Sequence, residues 1–260
     1  MKRRLIIVTN PGQTGDEHYC EGVYRDAENY SAYFQAAYGG YWFNSEILVR
    51  DKPTAKQLHN DLSQMVADEI EMSLVIFCGH GYYSAQRRSN VLNINSTESI
   101  DSIDLRTGAN KRIIILDACR EVKDEYLNES FEKSMTFSEL SARKQKLSPT
   151  QCRQFYDIEV QKCPKQLIVA YSCNINELSG DSTTFGGYYS GSLILQAEEW
   201  ADTQLDVVDL SSKYTHASFV KFHNDAVPKV KHMSSGDQNP QIDKPRLPES
   251  SNHLPFGILA

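Results

Sequence analysis

The chain has 260 residues, of which 40% are hydrophobic, and this suits one large α/β unit or two small domains rather than a disordered protein. Its formal net charge of -7 argues against nucleic acid as the main partner, because phosphate binding requires a basic surface. An acidic protein of this kind suits a basic substrate.

The N-terminal apolar run at residues 5–8 is too short for the core of a signal peptide, and no later stretch is long and apolar enough to span a bilayer. We therefore expect a cytoplasmic protein with no membrane partner. The six cysteines are irregularly spaced, so they predict neither a disulfide framework nor a paired zinc site. At least one of them needs another explanation.

Several short runs rich in β-branched residues predict buried strands, at residues 5–8, 46–49, 74–77, 113–116 and 167–170. Helices are predicted between some of them, at residues 26–37, 54–70 and 191–201. The helix at 54–70 begins with a capping box formed by Thr54 and Gln57. This alternation predicts an α/β fold with a mostly parallel central sheet and helices on both faces.

Three segments depart from this pattern. Residues 91–105 read VLNI and SIDL around a polar loop, which predicts a small hairpin outside the main sheet. Residues 122–164 are long and charged, so we expect a surface excursion with some helix around 150–161. Residues 227–260 carry most of the prolines, and we expect this tail to wrap the surface of a single domain spanning 1–260.

Two strand ends carry residues suited to nucleophilic catalysis. The strand at 74–77 leads directly into His80, and the strand at 113–116 leads into Cys119. Because ligands bind beyond the carboxyl ends of parallel strands, the two side chains converge if the strands are neighbours. A lone cysteine at a strand end is more often a small core residue, and a histidine between glycines is often a turn residue. The pair together favours catalysis.

A thiol is mostly protonated at neutral pH, so a nearby imidazole is needed to take its proton and later return it to the leaving amine. Cys119 is the predicted nucleophile and His80 the predicted base. The backbone N–H groups of Gly81 and Cys119 are the predicted oxyanion donors.

The motifs FCGHG at residues 77–81 and IILDACRE at residues 114–121 resemble those of the caspase and metacaspase clan. The segment at 22–27, the strand and helix around 170–192 and the closing segment at 238–257 are also similar to bacterial caspase homologues. The resemblance implies a caspase-like three-layer sandwich and a cysteine endopeptidase. True caspases carry Gln and Gly where this chain has Asp117 and Glu121, so the metacaspase side is the better match.

In metacaspases the positions of Asp26 and Asp117 line the pocket for the P1 residue, so the resemblance implies cleavage after Arg or Lys. Cys78, which stands where metacaspases usually have Ser, and Asp181 complete the predicted substrate-binding set. The alternative for Asp26 is an exposed charge in the first turn of a helix, and for Asp181 it is a turn residue.

The excursion at 122–164 occupies the place of the caspase inter-subunit linker. Arg143, Lys144 and Lys146 are candidate sites of processing, by the enzyme itself or by an activating protease, although a solvated charged face is an equal alternative. Some metacaspases need calcium, and Asp124, Glu125 and Glu129 offer oxygen ligands without forming a recognisable loop. We predict no metal or other cofactor, and calcium activation stays open.

Two other functions compete with the peptidase. The loop at residues 10–15 follows the first strand and can cradle a phosphate, as in a flavodoxin-type binding protein, but it lacks the usual glycine spacings. A catalytically silent interaction module would keep the fold without needing both His80 and Cys119. Bacterial caspase homologues often serve in defence or cell death, and the resemblance implies such a pathway and a regulator.

Overall fold

The computed structural model describes residues 1–16, 18–123, 147–205, 214–247 and 252–260. In chain order its strands are β1 (Arg3–Asn10), β2 (Ile47–Asp51), β3 (Met72–Gly79), β4 (Gly81–Ser84), β5 (Ser89–Asn93), β6 (Ser99–Asp101), β7 (Lys111–Asp117), β8 (Val122–Lys123), β9 (Gln166–Tyr171), β10 (Asp181–Ser182), β11 (Gly186–Gly187), β12 (Thr215–Ser218), β13 (Gln241–Asp243) and β14 (Pro255–Leu259). The α-helices are α1 (Gly22–Gln35), α2 (Ala55–Ala67), α3 (Pro149–Lys162), α4 (Tyr188–Leu205) and α5 (Phe219–Met233).

The central sheet has six strands in the order β13-β9-β7-β3-β1-β2. All neighbours are parallel except β13, which runs antiparallel to β9 at one edge. Helices α1, α3, α4 and α5 contribute to the core on one face, and α2 contributes to the core on the other. The predicted three-layer arrangement of a mostly parallel sheet between helices is confirmed.

The continuous apolar runs arise because each central strand feeds both cores. In β1, Leu5 and Ile7 face one core while Ile6 and Val8 face the other. The same alternation recurs along β3, β7 and β9, as expected when both faces of a parallel sheet are covered. The predicted strand at 46–49 differs, because β2 is an edge strand and its Val49 is 46% exposed.

The hairpin predicted at 91–105 is confirmed in part: VLNI contributes to β5, but the second strand is β6, and the SIDL run forms a short 3-10 helix at Ser102–Arg106. The hairpin belongs to a separate four-stranded sheet in the order β6-β5-β4-β8. Strand β4 follows β3 after a single residue, His80, so the small sheet is connected directly to the end of a central strand. Strand β8 follows β7 after the four residues 118–121, and it pairs in parallel with β4. The ends of the two central strands are thereby tied together.

The expectation of a surface excursion at 122–164 is wrong for its last part. The helix predicted around 150–161 is present as α3, but its Cys152, Tyr156 and Val160 are fully buried in the core. The start of the segment forms β8, where Val122 is 43% exposed. A narrow apolar stripe on an otherwise charged helix explains why composition alone predicted a surface segment. The candidate processing residues Arg143, Lys144 and Lys146, and the acids Asp124, Glu125 and Glu129, lie outside the described residues.

The expectation that residues 227–260 wrap the surface is also wrong. Helix α5 buries Val230 and Met233, and all five residues of β14 are buried. The ring of Phe256 stacks on that of Tyr33 with their centroids 4.9 Å apart. Prolines misled the prediction, because Pro255 is the first residue of a strand, where the missing N–H is tolerated.

We predict that Phe256→Ala destabilises the protein by about 3–5 kcal/mol, because it removes a fully buried ring from the core. Urea unfolding of both proteins measures the difference. The matched control is Phe43→Ala, whose side chain is 48% exposed and which should cost at most about 1 kcal/mol. Similar costs for the two variants would contradict a core role for the tail.

Candidate active site

Strands β3 and β7 are neighbours in the central sheet, and Cys78 pairs with Asp117 at the end of the ladder. His80 and Cys119 follow that pair by two residues on each strand, so both leave the sheet at the same level. Both line a cavity of about 580 Å³ at this edge. The structure therefore brings the predicted base and nucleophile to one site.

Gly79 makes the turn into His80 possible. Its φ is +147°, and a Cβ on this residue would lie 2.3 Å from the carbonyl oxygen of Asn10. A residue with a side chain fits neither the conformation nor the space. The glycine before the histidine therefore serves the close approach of β3 to the end of β1.

The loop after β1 orients the imidazole. Nε2 of His80 lies 3.2 Å from the carbonyl oxygen of Pro11, which can only accept a hydrogen bond. This contact requires the proton on Nε2, so in the neutral ring Nδ1 is the basic nitrogen. The 10–15 loop, considered above as a phosphate cradle, thus contacts the histidine instead.

The loop after β9 approaches the nucleophile from the other side. The N–H of Ser179 donates to Sγ of Cys119 at 3.4 Å. A backbone N–H aimed at sulfur stabilises the thiolate form, which is the reactive one. No sequence pattern pointed to Ser179, because its role arises only from the fold.

The backbone segments that carry the predicted oxyanion donors, Gly81 and Cys119, contact each other. A Cβ placed on Gly81 would come within 3.1 Å of Cβ of Ala118 and 3.5 Å of the carbonyl oxygen of Cys119. The backbone at the start of β4 thus packs directly against the peptide that carries the nucleophile. A larger residue at position 81 would push the two strand ends apart.

Asp26 and Asp117 both lie at the N-terminal end of α4. Both oxygens of Asp26 accept from the Gly187 N–H, at 2.9 and 3.1 Å. One oxygen of Asp117 accepts from the backbone N–H and hydroxyl of Ser190, at 3.0 and 2.6 Å, and the other accepts from the Ser179 hydroxyl at 2.7 Å. A helix N-terminus is a favourable place for negative charge.

The alternative of an exposed helical charge is wrong for Asp26, which is 2% exposed. Burial, together with the nearby charge of Asp117, raises the pKa of Asp26 well above its ordinary value. Burial and the two carboxylates also raise the pKa of the Cys78 thiol, which lies beside Asp26. These three predicted substrate-binding residues therefore form one buried cluster beneath the site.

Asp181 occupies a different position from that cluster. It lies on β10, lines the cavity, and accepts a hydrogen bond from the N–H of Gly22 at the start of α1, at 2.9 Å. Of the predicted substrate-binding residues, Asp181 is the one that lines the cavity among the described residues. Asp26 and Asp117 do not line it. Ser179 lines the cavity and donates its hydroxyl to Asp117, so it connects the cavity wall to the buried cluster.

The charged residues of the cavity wall are mostly acidic. Apart from the histidines, the charged wall residues within the described ranges are four carboxylates and one lysine: Asp16, Glu98, Glu121, Asp181 and Lys52. Within the described ranges, no group of three or more histidine, cysteine, aspartate or glutamate side chains is arranged to hold a metal ion. None of the helices that the structure describes has the length and apolar character needed to cross a membrane.

The parallel sheet, its two helical layers and the histidine and cysteine at adjacent strand ends define a site for thiol-dependent hydrolysis. The caspase-domain family model matches residues 2–250, so the chain belongs to that family and is a cysteine peptidase. Its fold is similar to that of caspase-1 from Spodoptera frugiperda, with a TM-score of 0.57 and 14% identity, over 93% of this chain and 87% of that one. A comparison with curated proteins found no significant match.

We predict that Asp26→Asn becomes progressively more stable relative to wild type as pH rises above the ordinary aspartate pKa of 3.8. In wild type the folded state holds the Asp26 proton to a higher pH than the unfolded chain does, because its pKa is raised. Stability therefore falls as pH rises above the ordinary aspartate value of 3.8, and the amide removes this loss.

Urea unfolding at several pH values measures the effect, with Asp202→Asn, at an exposed position on α4, as the matched control. A difference between Asp26→Asn and wild type that stays constant over this range would contradict the buried, proton-retaining carboxyl.

Proposed function

We propose that the protein is an endopeptidase that uses His80 and Cys119 as a catalytic pair and cleaves after Arg or Lys. The observation that carries the proposal is the convergence of these two side chains on one cavity, with Nε2 of His80 directed to the Pro11 carbonyl. That contact leaves Nδ1 as the basic nitrogen for the thiol proton.

Catalysis begins when the imidazole takes the proton of Cys119, and the Ser179 N–H supports the sulfur anion that forms. The thiolate attacks the scissile carbonyl, and the N–H groups of Gly81 and Cys119 hold the resulting oxyanion. The imidazolium then gives its proton to the leaving amine, which departs with the C-terminal part of the substrate. Water, deprotonated by the same imidazole, hydrolyses the thioester and restores the thiol.

The acidic wall supports the preference for a basic residue. Four carboxylates against one lysine attract a cationic side chain and repel an acidic one. A basic side chain that enters beside Ser179 reaches Asp181 on the wall first and Asp117 behind it. It can replace the Ser179 hydroxyl on Asp117 without disturbing the two bonds that hold the same carboxylate to Ser190.

Control of the enzyme follows from the same resemblance. Cleavage at Arg143, Lys144 or Lys146, by the enzyme itself or by another protease, would convert a zymogen into the active form. None of the six cysteines, all of which lie in the described ranges, forms a disulfide, which suits a reducing compartment such as the cytoplasm. A role in defence or cell death, with a regulator that releases activity, is the pathway that bacterial caspase homologues suggest.

We predict that the purified enzyme cleaves fluorogenic peptides after Arg or Lys at least ~100-fold faster than after Asp, because like charges in the site cost several kcal/mol. Cys119→Ala and His80→Ala should each lower turnover by ~10³-fold or more. Cys163→Ala, which removes a buried thiol at the end of α3, is the matched control and should retain activity. Cleavage after Asp would refute the acidic pocket but keep the peptidase.

We predict that wild type, but not Cys119→Ala, cuts itself within the 122–164 segment during long incubation. Replacing Arg143, Lys144 and Lys146 together by Ala should leave the chain intact and lower its activity on peptides, because the proposed cut converts the zymogen into the active form. Mass spectrometry of the fragments identifies the bond. A single intact band from enzyme that is active on peptides would rule out self-processing.

A further inference from the structure

A second cavity, of about 470 Å³, lies on the other side of β4 from the active site. The part of its wall that the structure describes carries four arginines, Arg87, Arg88, Arg106 and Arg120, against two aspartates, Asp101 and Asp243. This excess of positive charge stands in a chain whose net charge is -7. The concentration of arginines at one cavity therefore needs an explanation beyond general surface charge.

The two aspartates are already engaged with neutral groups. Asp101 accepts from the hydroxyl of Ser89 at 2.5 Å and from the N–H of Ile103 at 2.9 Å, and Asp243 accepts from the Tyr171 hydroxyl at 3.0 Å. In the part of the chain that the structure describes, none of the four arginines forms an ion pair within 4.0 Å. The cluster therefore presents its charge to whatever enters the cavity.

Arg120 is fixed at the base of this cavity. Arg120 is only 8% exposed. Its Nε donates to Asn90 at 2.9 Å, and its Nη1 donates to the carbonyl of Cys173 at 3.0 Å. The guanidinium lies over the Tyr171 ring, 4.1 Å from its centroid. Burial lowers the pKa of Arg120, although Cys173, Tyr171 and Asp243 nearby act in the opposite direction.

The other arginines surround the opening. Arg87 and Arg88 lie in the turn between β4 and β5, and Arg106 ends a short 3-10 helix. Arg88 has a φ of +53°, a conformation that glycine or asparagine adopts more readily. A long basic side chain at such a position is unfavourable for the turn itself, which points to a use for its charge.

We propose that this cavity binds a phosphate-bearing small molecule of nucleotide size, and that its occupation lowers the reactivity of Cys119. Several guanidinium groups around one volume match the oxygens of a compact, multiply charged anion, and arginine pairs with phosphate in a planar, two-bond geometry. The cavity volume falls in the range of small-molecule sites. Tyr83, Ile103 and Ile175 supply flat and apolar surface for the rest of the ligand.

The link to the active site is covalent and short, because Arg120 follows the nucleophile directly. The buried positive charge next to Cys119 favours the thiolate, so an anion bound to that arginine weakens this support. The loop after β9 makes a second connection. Asn174 and Ile175 line the arginine cavity, while Ser179 in the same loop donates to the Cys119 sulfur.

The test uses calorimetric titration of the full chain with ATP, ADP, pyrophosphate and an octaglutamate peptide. We expect the phosphate compounds to bind, and the double variant Arg88→Ala/Arg106→Ala to lose roughly tenfold in affinity for each arginine removed. The control is Lys165→Ala, which should bind as wild type does. Lys165 precedes the first residue of β9, whereas the arginine cavity lies at the other end of that strand.

The second readout is the rate of Cys119 alkylation by iodoacetamide, which needs the thiol but no turnover and so does not depend on the proposed peptidase specificity. Bound pyrophosphate should slow alkylation about twofold to fivefold in wild type and leave the double variant unaffected. Absence of binding at millimolar phosphate compounds, or equal binding by the double variant, overturns the site. Binding of octaglutamate alone assigns the cavity to an acidic peptide instead, and unchanged alkylation refutes the effect on Cys119.

Discussion

The site depends on the in-register parallel pairing of β3 with β7. Leu74 and Ile76 pair with Ile113 and Ile115 toward one core, and the residues between them pair toward the other. A slip of one residue would send every side chain of one strand to the opposite face. The hydrophobic packing of the two cores therefore fixes the register, and the register in turn brings the ends of both strands, with His80 and Cys119, to one level.

Beneath the proposed catalytic pair, Asp117 connects three parts of the molecule. It belongs to the strand that carries the nucleophile, binds the first turn of α4 through Ser190, and holds Ser179 of the loop that approaches Cys119. A buried carboxylate is tolerated because each oxygen has a donor. Its bonds toward the helix are fixed, while the serine hydroxyl on the cavity side is exchangeable, so a structural and a substrate-binding role are compatible.

The sequence was most informative where local pattern and chemistry coincide. The apolar runs predicted the central strands, and the positions of His80 and Cys119 at strand ends predicted their shared edge. Pro11 and Ser179 could not be predicted, because each acts through one backbone group whose partner is distant in sequence. Composition did not predict that α3 and β14 are buried. A narrow buried stripe in α3, or the five buried residues of β14, contribute little to the average hydrophobicity of a polar segment.

The peptide between Cys119 and Arg120 separates two cavities of opposite charge. On the side of Cys119, the four carboxylates of the cavity wall disfavour a further negative charge. The residues that would attract a basic substrate therefore also oppose the thiolate form of Cys119. His80, the Ser179 N–H and the charge of Arg120 act in the opposite direction. In the proposed mechanism, binding of a cationic side chain would offset part of the negative charge of the wall, so entry of a basic substrate would raise the reactivity of the thiol. An anion bound in the arginine cavity would weaken the support from Arg120 and so lower the reactivity of the Cys119 thiol.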